Sequence, residues 1–176
     1  MESKVGFQRE ILLYENEKGA KMNDQKAAWA LLTESIGSYK SQGINHEKQN
    51  HTGIFKLEFA FENKVLLLTS SAIGTGGEVF HQEHSWIGND IAGVLTLYVN
   101  SNNHPGVTPH LFNRIEEGSE GQKIVVFRFG DIDNRSSFRE EISVSVFKDK
   151  SVGHFYSWGM PTGDFQERSG TRMERL

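Results

Sequence analysis

The chain has 176 residues and no cysteine, with 19 Lys plus Arg against 23 Asp plus Glu for a formal charge of -4. That length suits one ordinary domain, and the lack of cysteine excludes disulfides and thiolate metal sites and removes any demand for an oxidising compartment. The charges are interspersed rather than gathered into the basic face of a nucleic-acid binder, and no segment approaches the roughly 20 apolar residues of a membrane-crossing helix. A cytoplasmic protein with neither a nucleic acid nor a membrane as partner is expected.

Residues 1–22 read as an N-terminal extension. They lack the continuous apolar stretch of a signal peptide but contain the apolar run Ile11, Leu12, Leu13 and Tyr14, which packs poorly in water. One segment reads as helix. From Asn23 to about Glu34, residues Ala27 to Leu32 are helix-compatible, behind a cap expected at Asn23 or Asp24.

After the helix the period of the sequence changes to two. In Gly53–Glu62 the apolar Phe55, Leu57, Phe59 and Phe61 alternate with Lys56, Glu58, Ala60 and Glu62, the pattern of a half-buried strand. Further runs follow at even intervals: Gly37–Ile44 before it, then Lys64–Ile73, Glu78–Gly88, Gly93–Ser101, Val107–Glu116, Lys123–Gly130, Ser137–Phe147, Val152–Trp158 and Phe165–Arg175. Between them lie turn sequences such as Gly74-Thr75-Gly76-Gly77 and Pro161-Thr162-Gly163. No helical span separates the strands, so parallel crossovers are not expected. Residues 23–176 thus predict an all-β domain, an antiparallel up-and-down barrel of about ten strands behind a short helix. Ten strands make a barrel wider than the roughly eight whose side chains just fill it, which leaves room for a ligand.

The segment Gly37-Ser38-Tyr39-Lys40-Ser41-Gln42-Gly43 resembles the Gly-x-Trp-x-Gly-x-Gly opening of nitrobindins and related fatty-acid-binding-protein-like, lipocalin-like (calycin) barrels, with Tyr39 for the Trp and Ser41 for the middle Gly. Phe80-His81-Gln82-Glu83-His84-Ser85-Trp86-Ile87 is similar to the His-x-Glu strand of the same group. The resemblance implies a barrel that binds small molecules. Nitrobindins hold haem through a histidine on the final strand, and Phe165–Arg175 has none; fatty-acid-binding proteins use an Arg-x-Tyr pair there, where this chain has Arg168 and Arg172-x-Glu174. Neither ligand is carried over, and no cofactor is expected.

Alternation places Val79, His81, Glu83 and Ser85 on one face of their strand. His81 and Glu83 then share either a polar lumen, where Glu83 orients His81, or the solvent face. Glu83 and the adjacent His84 point to opposite sides, which disfavours a metal site, and none is expected. In Ser137–Phe147 the two faces are Phe138, Glu140, Ile142, Val144, Val146 and Arg139, Glu141, Ser143, Ser145. Arg139 and Glu141 either fix a ligand or form a cross-strand ion-pair face. In Val152–Trp158, His154, Tyr156 and Trp158 share a side; such polar-tipped aromatics line a pocket or pack in a core. His51, His104 and His110 fall in or beside turns and are expected to be solvated. No Gly-x-Ser-x-Gly turn, triad spacing or phosphate-cradling loop is present.

These residues give the expected function: binding of a small hydrophobic or amphipathic molecule by His81, Glu83, Arg139, Glu141, His154, Tyr156, Trp158 and Arg168. The alternatives are a hydrolase or isomerase with His81 and Glu83 as its catalytic acid–base pair, and haem binding of the nitrobindin type. The apolar run in the extension further predicts a homodimer joined by exchange of that arm. Deleting residues 1–21 and measuring mass in solution by light scattering is expected to convert dimer to monomer; an unchanged dimer, or a monomer before and after, refutes arm-mediated assembly.

Overall fold

The computed structural model describes residues 22–176 apart from 46 and 105; the arm and its apolar run lie outside the described residues. The chain begins with a helix, α1 (residues 22–34), and continues in ten strands: β1 (Gly37–Ile44), β2 (Asn50–Ala60), β3 (Val65–Gly74), β4 (Val79–Asn89), β5 (Leu95–Val99), β6 (Thr108–Glu117), β7 (Lys123–Phe129), β8 (Arg139–Val146), β9 (Val152–Gly159) and β10 (Gln166–Arg175). Each strand pairs antiparallel with the next and β10 returns to β1, closing a barrel. The up-and-down meander expected from period-two segments and short turns is the fold observed.

Alternation decides what enters the lumen. Phe55 and Leu57 from β2, Leu66 and Leu68 from β3, Leu95, Leu97 and Val99 from β5, Val125 and Phe127 from β7, and Ile142 and Val144 from β8 are all buried. The β2 pattern runs out before its sequence does: Phe59 is half-exposed and Phe61 exposed. Phe61, Glu62 and Asn63 adopt positive φ angles of 49°, 57° and 65°, which turns the chain into β3 and carries Phe61 off the strand.

α1 plugs one end of the barrel. Ala28 and Leu32, one turn apart on its inner face, are fully buried, and Trp29 and Leu31 pack beside them. The Gln25 side chain accepts a 2.6 Å hydrogen bond from the Leu95 amide, and the Tyr39 hydroxyl donates to the Ser35 carbonyl at 2.7 Å, tying the helix to β5 and β1. Asn23 and Asp24 lie within the helix instead of capping it, because the helix already includes Met22. Among the described residues, the helix and the large side chains pack this end of the lumen, and the cavity bordered by His81, Glu140 and Tyr156 lies at the opposite end.

The closing seam is short. Tyr39 pairs with Arg175 and Lys40 with Glu174, two residue pairs against eight between β1 and β2. Arg175 reinforces it by donating to the Ile36 carbonyl at 2.7 Å, as does the Leu176 amide to the Ser38 carbonyl at 2.9 Å.

Arg139 holds the loops of the open end together. It is 1% exposed, and its guanidinium donates to the carbonyls of Ile132, Ser137, Gly159, Met160 and Gly163 at 2.7–3.4 Å. Residue 159 must be glycine for this, since a Cβ there would sit 2.9 Å from the guanidinium carbon. Hydrogen bonds to a charged group each contribute about 1.5–3 kcal/mol. Arg139→Ala is expected to lower unfolding free energy by at least about 3 kcal/mol in urea titrations, and Arg139→Lys to recover only part of it; a loss under about 1 kcal/mol would show that the clamp does not support the fold.

Candidate functional site

Among the described residues, the buried histidines and glutamates lie toward the open end of the lumen, on β4, β6, β8 and β9. On β4 the inward face carries His81, Glu83, Ser85 and Ile87, while Gln82 and His84 are exposed and lie 3.3 Å apart. Beyond β5 the chain folds back along the start of β4: the Asn102 amide donates to the Gln82 carbonyl at 3.0 Å, and the Asn102 side chain accepts from the Gln82 amide at 2.9 Å. This brings Asn103 and His104 over the end of the barrel.

Two carboxylates anchor the cluster. Glu83 has no exposed side-chain surface. The Ser85 hydroxyl donates to its Oε1 at 2.5 Å, the Tyr156 hydroxyl donates to its Oε2, and His81 Nε2 lies 3.5 Å from the same oxygen. Burial alone raises a carboxyl's pKa, but His81, His154, Ser85 and Tyr156 together stabilise the anion and bring Glu83 down to about 2. Glu140, from β8, receives His110 Nε2 at 2.8 Å and His104 Nε2 at 3.2 Å on its Oε2. Burial opposes the charged form here too, and the two histidines overcome it, holding Glu140 below the ordinary carboxylate range.

The neighbours respond to these anions. The hydrogen bond to Glu140 raises His104 against the effect of burial. Burial and the Glu83 charge push Tyr156 well above its usual range, so its hydroxyl keeps its proton and remains a donor. His154 is pulled down to about 4 because burial outweighs the attraction of Glu83. Its ring lies edge-on to Phe55, centroids 5.3 Å apart, and its Nε2 has no hydrogen-bond partner among the described residues. At His81, Nδ1 is 3.1 Å from the Asn103 side-chain nitrogen, which donates, leaving Nε2 to carry the proton toward the Tyr156 oxygen at 3.2 Å.

A cavity of about 280 Å³ lies above this floor. His81, Asn103, His104, Glu140 and Tyr156 form its polar side; Phe138, Trp158 and Met160 form an apolar rim. Arg168 stands at the rim on the β-bulge of β10, its guanidinium carbon 4.6 Å from the centre of the Trp158 ring and its Nη2 donating to the Asp164 carbonyl at 3.2 Å. A second depression of about 440 Å³, bordered by Leu111, Phe112, Arg128 and Phe129, lacks the carboxylate and histidine groups.

Of the residues named from sequence, the structure brings together His81, Glu83, His154, Tyr156 and Trp158, with Arg168 above Trp158. It does not bring Arg139 or Glu141 to them. Arg139 is the loop clamp, and Glu141 faces away from Ile142 and pairs with Arg114 and Arg128 at 2.8 and 2.5 Å; the lumen-facing carboxylate of β8 is its neighbour Glu140. The expectation of solvated histidines fails at His104 and His110, which are 11% and 0% exposed. His110 precedes Phe112 by two on the inward face of β6, and the loop folding back over β4 buries His104. Among the described residues no group of three or more His, Cys, Asp or Glu is arranged to hold a metal ion, and no helix is long and apolar enough to cross a membrane.

The shifted groups set an acid response. His154 and Glu83 both have lowered folded pKa values, so unfolding takes up protons and stability falls with pH: through 6.5 to about 4 for His154, then through 4.5 to about 2 for Glu83. His104, raised, works in the opposite sense, its contribution fading as pH rises through its folded value. A tenfold change in proton affinity on folding is worth about 1.4 kcal/mol, so acidification across the His154 window should cost about 3 kcal/mol. His154→Phe is expected to flatten the loss of melting temperature between pH 6.5 and 4 while leaving the steeper loss below pH 4.5; parallel profiles for both proteins refute the assignment.

Compared with known proteins, the chain matches no family model and no curated protein.

Proposed function

We propose that the protein binds a small amphipathic molecule in the open end of its barrel. The observation that carries this reading is the 280 Å³ cavity, with an apolar rim of Phe138, Trp158 and Met160 above a floor whose polar atoms are already held in place. Pockets for drug-sized ligands span roughly 300–1,000 Å³, so the ligand is small. Its apolar part packs on the rim and its polar end meets the floor. The resemblance of residues 37–43 and 80–87 to small-ligand barrels points the same way.

The geometry favours binding over acid–base catalysis by His81 and Glu83. Both ring nitrogens of His81 are engaged within the protein, and a carboxylate with a pKa of about 2 is a weak base at neutral pH. Glu83 acts on Tyr156 and His81 as a positioning residue. Native mass spectrometry after mild purification is the test. A low-mass adduct that is lost on replacing Trp158 with Ala, in a variant that keeps its β-sheet circular dichroism, is expected; a bare protein whose intrinsic fluorescence ignores a panel of small amphiphiles refutes the reading.

A further inference from the structure

We propose that the cavity selects a compact organic cation, an ammonium group carried on an apolar body, in preference to a neutral or anionic ligand of the same shape. This rests on the binding reading above and adds the sign of the ligand's charge.

The lining of the space carries a carboxylate and no side chain of permanent positive charge. Ten side chains border it, and none is Lys or Arg. Glu140 is among them, and Glu83 lies directly beneath Tyr156; both are held ionised. His104 Nε2 is committed to Glu140 at 3.2 Å, while His154 is held neutral and Tyr156 keeps its proton. A ligand carboxylate entering here finds no Lys or Arg to pair with and meets Glu140, with Glu83 beneath Tyr156, in a poorly solvated site where like charges repel strongly.

The two carboxylates differ in what they leave available. Glu83 is saturated: Oε1 receives Ser85, and Oε2 receives Tyr156 and His81. On Glu140 both histidines converge on Oε2, so among the described residues Oε1 accepts no hydrogen bond. An ammonium group supplies the donors that this oxygen lacks, and a charge-assisted bond of that kind is roughly twice as strong as a neutral one.

The walls suit the same ligand. Phe138, Tyr156 and Trp158 present aromatic surface around the space, and a cation within about 6 Å of an aromatic centroid is attracted by the ring's quadrupole, most strongly for Trp. The protein already uses Trp158 in this way from the rim, where Arg168 sits 4.6 Å from the ring centre. Its guanidinium is fixed outside the lining by the carbonyls of Trp158 and Asp164, leaving the lining without Lys or Arg.

Three probes of matched shape separate the charge preference from binding itself: phenethylammonium, 2-phenylethanol and phenylacetate, titrated into the native full chain at about pH 7.5, where an aliphatic ammonium is charged, by isothermal calorimetry. Phenethylammonium is expected to bind about tenfold more tightly than the alcohol, and phenylacetate more weakly than either. Glu140→Gln should bring ammonium and alcohol within about twofold of each other. The native series stands whether or not that variant folds. If the alcohol or phenylacetate matches or exceeds the ammonium, the charge preference is overturned and the cavity stands as a binding site; if none of the three binds, both the preference and the binding reading fall.

Discussion

Removing Glu83 from water would cost several kcal/mol if its charge were left uncompensated, and the open end of the barrel is organised around meeting that demand. Three strands contribute. β4 supplies Ser85 and His81 from the same face as the carboxylate, β9 supplies Tyr156, and the pairing of β5 with β4 lets the Asn100 amide donate to the Ser85 oxygen at 3.2 Å. Tyr156 can serve only while protonated, and the field of Glu83 keeps it so. Each member of the network thus fixes the protonation of the next, and the cavity inherits a floor whose donors and acceptors do not reorganise when a ligand arrives, the condition under which binding loses least to ordering.

Glu140 repeats the arrangement with one difference. His104 and His110 meet a single oxygen, and their neighbours hold them there: Thr108 accepts from His110 Nδ1 through its carbonyl at 3.2 Å, and its hydroxyl lies 3.3 Å from His104 Nδ1. One buried carboxylate is closed by its neighbours and the other is left with a face toward the cavity. The polar content of the lumen therefore divides into a carboxylate saturated by its neighbours and one with an oxygen to spare, which composition alone does not distinguish.

The fold was legible because period-two patterning and turn residues are local signals, readable in Phe55, Leu57 and the Gly74–Gly77 turn without knowledge of the rest of the chain. Parity along β4 and β9 was legible for the same reason, and it placed His81 with Glu83 and His154 with Tyr156. What stayed hidden is non-local. Glu140 stood on an otherwise apolar face with Ile142 and Val144, a signal that a lone carboxylate points inward, yet its partners His104 and His110 are some thirty residues away in sequence and meet it only where β6 and the segment before it come round, across β7, to β8. Arg139 could not be read at all: its ligands are backbone carbonyls, which every residue possesses, and only the meeting of the β7–β8 and β9–β10 connections makes them a site.

The brevity of the β1–β10 seam bears on how anything reaches the interior. A closed barrel has no edge, so opening it requires breaking one line of pairing, and the cheapest line is the one with the fewest rungs. Beyond Lys40 and Glu174 toward the open end, β1 and β10 share no register, and Ser169 of β10 borders the cavity. The barrel behaves as a tube slit part-way down one side. On the proposed binding reading, a ligand would exchange with solvent by widening this slit while the other nine strand pairings and the helical plug stay intact, so that the looseness of one seam would set its residence time separately from the affinity set by the floor and rim.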